Sequence, residues 1–136
     1  MHISARTDYA VRAMLVIANS HPHLVKASEI AAAEEIPLSF LTAILMDLRR
    51  GGLVRSLRGT DGGHGLARPA EAITVGDVLR AADGALTTVR GQPTAQASYG
   101  VTARGLRSVW LSLDLAITGI VDRATLADLL VGEAEI

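Results

Sequence analysis

Hydrophobic and polar positions along the chain change period several times, and each change marks an element. From Ala5 to Ala18, the residues Tyr9, Ala13, Met14, Ile17 and Ala18 recur at spacings of three and four, which predicts a helix with one buried face. Ser4 stands where an N-cap belongs. The stretch from Asn19 to Val25 contains Pro22 and reads as a loop. Ser28 then caps a short helix, Glu29 to Glu34, with Ile30 and Ala33 turned inward. Pro37 marks a turn, and Ser39 caps a third helix whose stripe is Leu41, Ile44, Leu45 and Leu48. Arg49 and Arg50 fall in its last turn, where cations suit the negative end of the helix dipole. Gly51 and Gly52 stop it.

Beyond these glycines the period changes again. A short apolar run, Leu53 to Leu57, leads into a glycine-rich turn from Gly59 to Gly65, and the chain returns through Leu66 and Ala67. This predicts a two-stranded hairpin with a basic tip. Thr74-Val-Gly-Asp77 forms a capping box that starts a fourth helix, Val75 to Ala82, ended by Gly84. Residues 86–100, LTTVRGQPTAQASYG, have no period and are expected to be a loop, with a composition that permits disorder.

The last third is dominated by a predicted helix from Thr102 to Val121. Leu106, Leu113 and Ile120 repeat every seven residues, and Trp110 and Ile117 follow the first two by four, the spacing of a coiled-coil seam. Such a stripe either covers the body of its own chain or joins two copies. The additional apolar surface of Val109, Leu115, Ala116 and Val121 favours two copies. The expected dimer seam is Leu106, Val109, Trp110, Leu113, Ala116, Ile117 and Ile120. Thr125-Leu-Ala-Asp128 repeats the capping pattern and starts a terminal helix through Val131.

The fold class that follows is mainly α: a winged helix-turn-helix with a small two-stranded β wing and a long C-terminal dimerisation helix. Its expected divisions are a DNA-binding unit over 1–84, a flexible loop over 85–101, and dimerisation and terminal helices over 102–136. In this module one helix enters the major groove, and the wing grips the backbone or the minor groove.

Charge refines that picture. The net charge is −1, which argues against indiscriminate coating of DNA. The distribution is uneven: residues 1–69 carry eight Lys+Arg and six Asp+Glu, while residues 70–136 carry five and eight. Between Arg49 and Arg68 there are five arginines and one acid, Asp61. A local basic face on a neutral body suits a site-specific reader.

With no cysteine, the chain offers no disulfide, thiolate-bound zinc or cysteine-held iron–sulfur cluster. Its histidines, at 2, 21, 23 and 64, do not form a ligand set, and His21 and His23 flank Pro22 in the first loop. No metal site is expected. An enzyme is not expected either: there is no Ser-His-Asp arrangement, and Gly59 to Gly65 lacks the following helix of a phosphate-binding loop. No run of about 18 apolar residues marks a membrane span, and the first residues lack the pattern of a signal peptide. The expected location is the cytoplasm.

Five segments in order carry a family resemblance: ISARTDYAVRAML, LRRGGLVRS, RGTDGGHGLARP, ITVGDVLRA and TLADLL. Together they make the chain resemble the Rrf-two family of bacterial winged-helix regulators, across nearly its whole length. The resemblance implies a homodimer with cross-packed long helices and a pseudo-palindromic double-stranded DNA operator, with repression the expected sign. Carried over by position, Ser39, Phe40, Thr42 and Ala43 meet base edges, and Arg58, Gly59 and Thr60 enter the minor groove. Ser28, Arg49 and Arg50 complete the expected DNA-facing set.

Departures from the family pattern change the expectation. Thr42-Ala43 replaces a longer polar pair, so fewer base contacts are expected and a thymine methyl becomes a natural target. Asp61 stands where glycine is usual, and is expected to cap the turn or face away from phosphates. His64 replaces an aromatic residue. Cluster-binding relatives place three cysteines in the region matching 86–105, where this chain has none. Asp8 lies near the place of a further ligand but reads as a surface carboxylate. No iron–sulfur cofactor is expected, and the signal is a small molecule or a protein partner. Tyr9 and Trp110, with the loop 86–100, are the candidate enclosure for an apolar effector, against a plain core role for both. An alternative function is a winged-helix protein-interaction module with weak or no DNA binding.

Overall fold

The computed structural model describes residues 2–132. It contains α1 (Ala5–Ser20), α2 (Ala27–Glu34), α3 (Leu38–Arg50), β1 (Val54–Leu57), β2 (Gly63–Leu66), α4 (Val75–Asp83), β3 (Thr88–Val89), β4 (Gln92–Pro93), α5 (Leu106–Val121) and α6 (Leu126–Leu130). α1 lies centrally and packs against α2, α3, α4 and α6. Met14, Ile17, Ile30, Leu41, Ile44, Leu48, Leu53, Ile73, Val78 and Leu126 are fully buried and meet in one core. Each such side chain removed from water contributes about 1.5–3 kcal/mol before entropy is counted. β1 and β2 pair antiparallel, Val54 with Leu66 through Leu57 with Gly63, and form the wing.

Both predicted capping boxes are present. The Thr74 hydroxyl accepts from the Asp77 N–H at 3.0 Å, and the Asp77 carboxylate accepts from the Thr74 N–H at 3.0 Å. Thr125 and Asp128 do the same at 3.1 and 3.2 Å. The two caps also meet each other. The Val75 N–H donates to the Ala124 carbonyl at 2.8 Å, and the Leu126 N–H donates to the Ile73 carbonyl at 2.9 Å. This stitch carries Leu126 into the core. Gly76 is required beside it, because a Cβ there would lie 1.8 Å from Asp122 Oδ1, the oxygen that accepts from Arg80 Nη2 at 2.6 Å.

Several boundaries differ from expectation. α1 runs two residues further, to Ser20. α2 begins at Ala27 with Lys26 at the N-cap, so Ser28 sits in its first turn; the Glu29 carboxylate takes the Lys26 N–H and fixes that earlier start. Pro37, not Ser39, precedes α3, its carbonyl accepting from the Leu41 N–H at 3.0 Å. Ala33 is exposed; a helix this short buries only Ile30. The wing turn is shorter than expected, since Gly63 to Gly65 belong to β2. α5 starts at Leu106, after turns over 101–105.

The segment 86–100, expected as a loop without period, contains short elements of its own. Arg90 (φ 50°) and Gly91 (φ 77°) turn a two-residue hairpin between β3 and β4, the left-handed pair such a connection requires. A 3-10 turn, Thr94–Gln96, follows. Thr87 Oγ1 lies 2.6 Å from Thr94 Oγ1 and donates to Asp114 of α5. Arg107 donates to the Ala97 and Ala95 carbonyls at 3.1 and 2.9 Å. Contacts with a helix 10 to 27 residues away have no local periodicity, so the sequence pattern did not reveal them.

Candidate nucleic-acid interface

α3 divides cleanly. Leu41, Ile44, Leu45 and Leu48 are buried, while Ser39, Phe40, Thr42, Ala43, Met46, Arg49 and Arg50 are exposed. The outer face is therefore free to enter a groove. Thr42 Oγ1 donates to the Leu38 carbonyl at 2.9 Å. Its hydroxyl hydrogen is thus engaged, and Thr42 presents an acceptor oxygen and a methyl group, suited to an exocyclic amine or a thymine methyl. The helix is moored from behind: Arg6 of α1 pairs with Asp47 and donates through Nε to the Ala82 carbonyl at 3.1 Å.

The wing is built against the helix-turn-helix and does not project alone. Val25, just before α2, pairs with His64 through bonds of 2.9 and 2.7 Å, so β2 has a neighbour on each edge. Gly63 is needed there, since a Cβ would lie 2.8 Å from the Val25 carbonyl oxygen. Arg58, Gly59, Thr60 and Asp61 are exposed around the tip. Ser28 is exposed at the start of α2. Every residue of the expected DNA-facing set is therefore solvent-accessible. The sequence reading missed the exposed Leu38, Met46 and Arg55. Leu38, Thr42 and Met46 follow one another at steps of four, a second stripe that could have been read beside the buried one.

His64 lies at the wing base, where its Nδ1 is 2.8 Å from Ser56 Oγ. Burial, and then the positive charge of Arg49, hold its pKa below the ordinary 6.5. The unfolded chain binds this proton more readily than the folded one. The contribution to stability is thus complete above the unfolded value and is lost as pH falls from there through the lower folded value. Urea unfolding at about pH 7.5 and about pH 5.5 should show the loss in wild type and a smaller one in His64→Gln. Equal losses in both proteins would remove His64 as the cause.

The expected seam splits into two sets. Trp110, Leu113 and Ile117 are half-buried, while Leu106, Val109, Ala116 and Ile120 are exposed. The candidate effector residues are not drawn into the groove beside α5. That groove, about 800 Å³, lies between the start of α1, the end of α4 and α5; Leu79, Leu86, Ile117 and Val121 line it, and neither Tyr9 nor Trp110 does. Tyr9 instead packs at the edge of the core with the Arg12 guanidinium 5.4 Å from its ring centre. The Asp8 carboxylate pairs with Arg12 at 3.0 Å on the surface.

The family model named Rrf2 and described as an iron-dependent transcriptional regulator matches residues 3–132. The chain belongs to the Rrf2 family. A Mycobacterium tuberculosis protein named among HTH-type transcriptional regulators is 42% identical over 129 residues, covering 94% of this chain and 80% of its own length. The HTH-type transcriptional regulator IscR of Klebsiella pneumoniae is 34% identical over 130 residues, covering 95% of this chain and 79% of its own. Among solved structures, CymR, the global cysteine regulator of B. subtilis, has a TM-score of 0.80 at 27% identity over 96% of each chain. T. potens IscR has a TM-score of 0.76 at 32% identity over 96% of this chain and 86% of that one. This Rrf2 chain is thus a helix-turn-helix, DNA-binding transcription regulator and not an enzyme.

Iron dependence in the family description invites a test of the donor set. The whole chain has no cysteine, and the described residues contain no group of three or more His, Asp or Glu that could hold a metal. Around the segment 86–105, the hydroxyls of Thr87 and Thr94 and the carboxylate of Asp114 are engaged with one another. These side chains do not fit an iron–sulfur cluster, which is held by thiolates. Among the described residues no helix is long and apolar enough to cross a membrane.

Proposed function

We propose that the protein is a homodimeric repressor that binds a pseudo-palindromic operator in the cytoplasm without an iron–sulfur cofactor. α3 would read the major groove through Ser39, Phe40, Thr42 and Ala43. Arg58, Gly59 and Thr60 would enter the minor groove, with Ser28, Arg49 and Arg50 near the backbone. One observation carries the pairing. α5 is sixteen residues long and largely apolar, yet none of its residues is fully buried. Leu106, Val109, Leu113, Ala116 and Ile120 follow steps of three and four, so a second α5 laid against them would bury a continuous seam. In this reading 1–84 together with α6 is the reading unit, and α5 joins two of them.

The signal would be a small molecule or a protein partner that favours one spacing of the two α3 helices over another. A second reading, a protein-interaction module, draws on the exposed apolar side chains Leu38, Phe40 and Met46 of α3. Selection from a pool of random duplexes separates the two. A two-fold symmetric motif should be enriched, and Arg58→Ala should weaken binding to it by about tenfold. No enriched motif at moderate salt would favour the protein-partner reading.

A further inference from the structure

Lys26 was not part of the DNA-facing set, yet it joins the wing to the helix-turn-helix. Its backbone caps α2: the N–H donates to the Glu29 carboxylate at 3.2 Å, and the carbonyl accepts from the Ile30 N–H at 3.1 Å. Its neighbour Val25 is bonded to β2 through His64. From this fixed root the side chain reaches the wing turn. There Nζ donates to the Gly59 and Gly62 carbonyls, each at 3.3 Å. These two oxygens belong to one turn, closed by the Gly62 N–H donating to the Gly59 carbonyl at 3.0 Å.

Two physical consequences follow. The wing base packs closely on the segment before α2, because a Cβ at Gly63 would lie 2.8 Å from the Val25 oxygen. The tip is the part left to move, and the ammonium restrains it. The two carbonyl oxygens also carry partial negative charge on a face that meets phosphates, and the ammonium offsets that charge.

We propose that Lys26 is a positioning residue for DNA recognition. By holding Gly59 and Gly62, it fixes the wing tip at one offset from α2 and α3, so Arg58 and the outer face of α3 engage a single duplex in one register. The proposal rests on the DNA-facing surface described above, and its first test needs no DNA.

Amide hydrogen exchange is measured on the full-length, DNA-free wild type and on Lys26→Met and Lys26→Arg. Binding is measured on a duplex selected by the wild type, adding Arg58→Ala and the double variant. Lys26→Met should speed exchange over Arg58 to Gly62 by about fivefold or more while leaving the core of α3 unchanged. It should weaken binding by about tenfold, Lys26→Arg should recover most of that, and Arg58→Ala should cost less in the Lys26→Met background than alone. Unchanged exchange at the tip overturns the proposal. So does an additive double variant whose salt slope falls by about 0.9, because Lys26 would then be an ordinary phosphate contact. If the wild type selects no duplex, the DNA-facing surface fails while exchange still decides the clamp.

Discussion

Val109→Glu is expected to turn the proposed dimer into a monomer and to weaken operator binding by about a hundredfold or more, the factor lost when two linked contacts become one. Val109 is 56% exposed in the single chain, so a glutamate there stays hydrated and leaves the protomer folded. In the proposed pair the same residue would face the seam of a two-fold interface, where each change appears twice and two carboxylates are brought together. Sedimentation reports the mass and fluorescence anisotropy the affinity. A variant that sediments as wild type does, and binds undiminished, would break the link between α5 and DNA binding. Leu115→Glu is a useful contrast, because Leu115 is 71% exposed but lies off the stripe of three-and-four steps.

Leu48→Ala is expected to cost about 2–5 kcal/mol of folding stability, the range for truncating a buried leucine. Leu48 is fully buried on the inner face of α3. Phe40, on the same helix, is 56% exposed, and Phe40→Ala should change stability little while changing DNA binding. Urea unfolding read by circular dichroism measures both. A loss below about 1 kcal/mol for Leu48→Ala would mean that the inner face of α3 is not the packed layer described above.

Much of this fold could be read directly from residue order. The buried stripe of α3, the N-cap at Ser4 and both threonine capping boxes are local signals, set by side chains three or four positions apart. The wing was visible as an apolar run followed by glycines. Its boundaries were not, because Gly63 and Gly65 serve β2 through their closeness to Val25 and Leu24, residues some forty positions earlier. The starts of α2 and α3 were misplaced for a local reason: serine was the expected cap, but Lys26 and Pro37 precede the helices, where Glu29 and the proline ring set the backbone. The path of 86–100 is bonded to Asp114 and Arg107. Lys26 escaped notice because nothing in its neighbourhood says that it reaches Gly59. Local spacing identified the exposed face of α3; where the wing lies beside it depends on the closed fold.

α5 leaves the body after the end of α4 and returns, through Ala124 and Leu126, to the beginning of that same helix. A strap fastened at both ends cannot be traded between copies without also extracting Leu126 from the interior of each. In the proposed pair, finished subunits would therefore meet by apposition, with no exchange of chain.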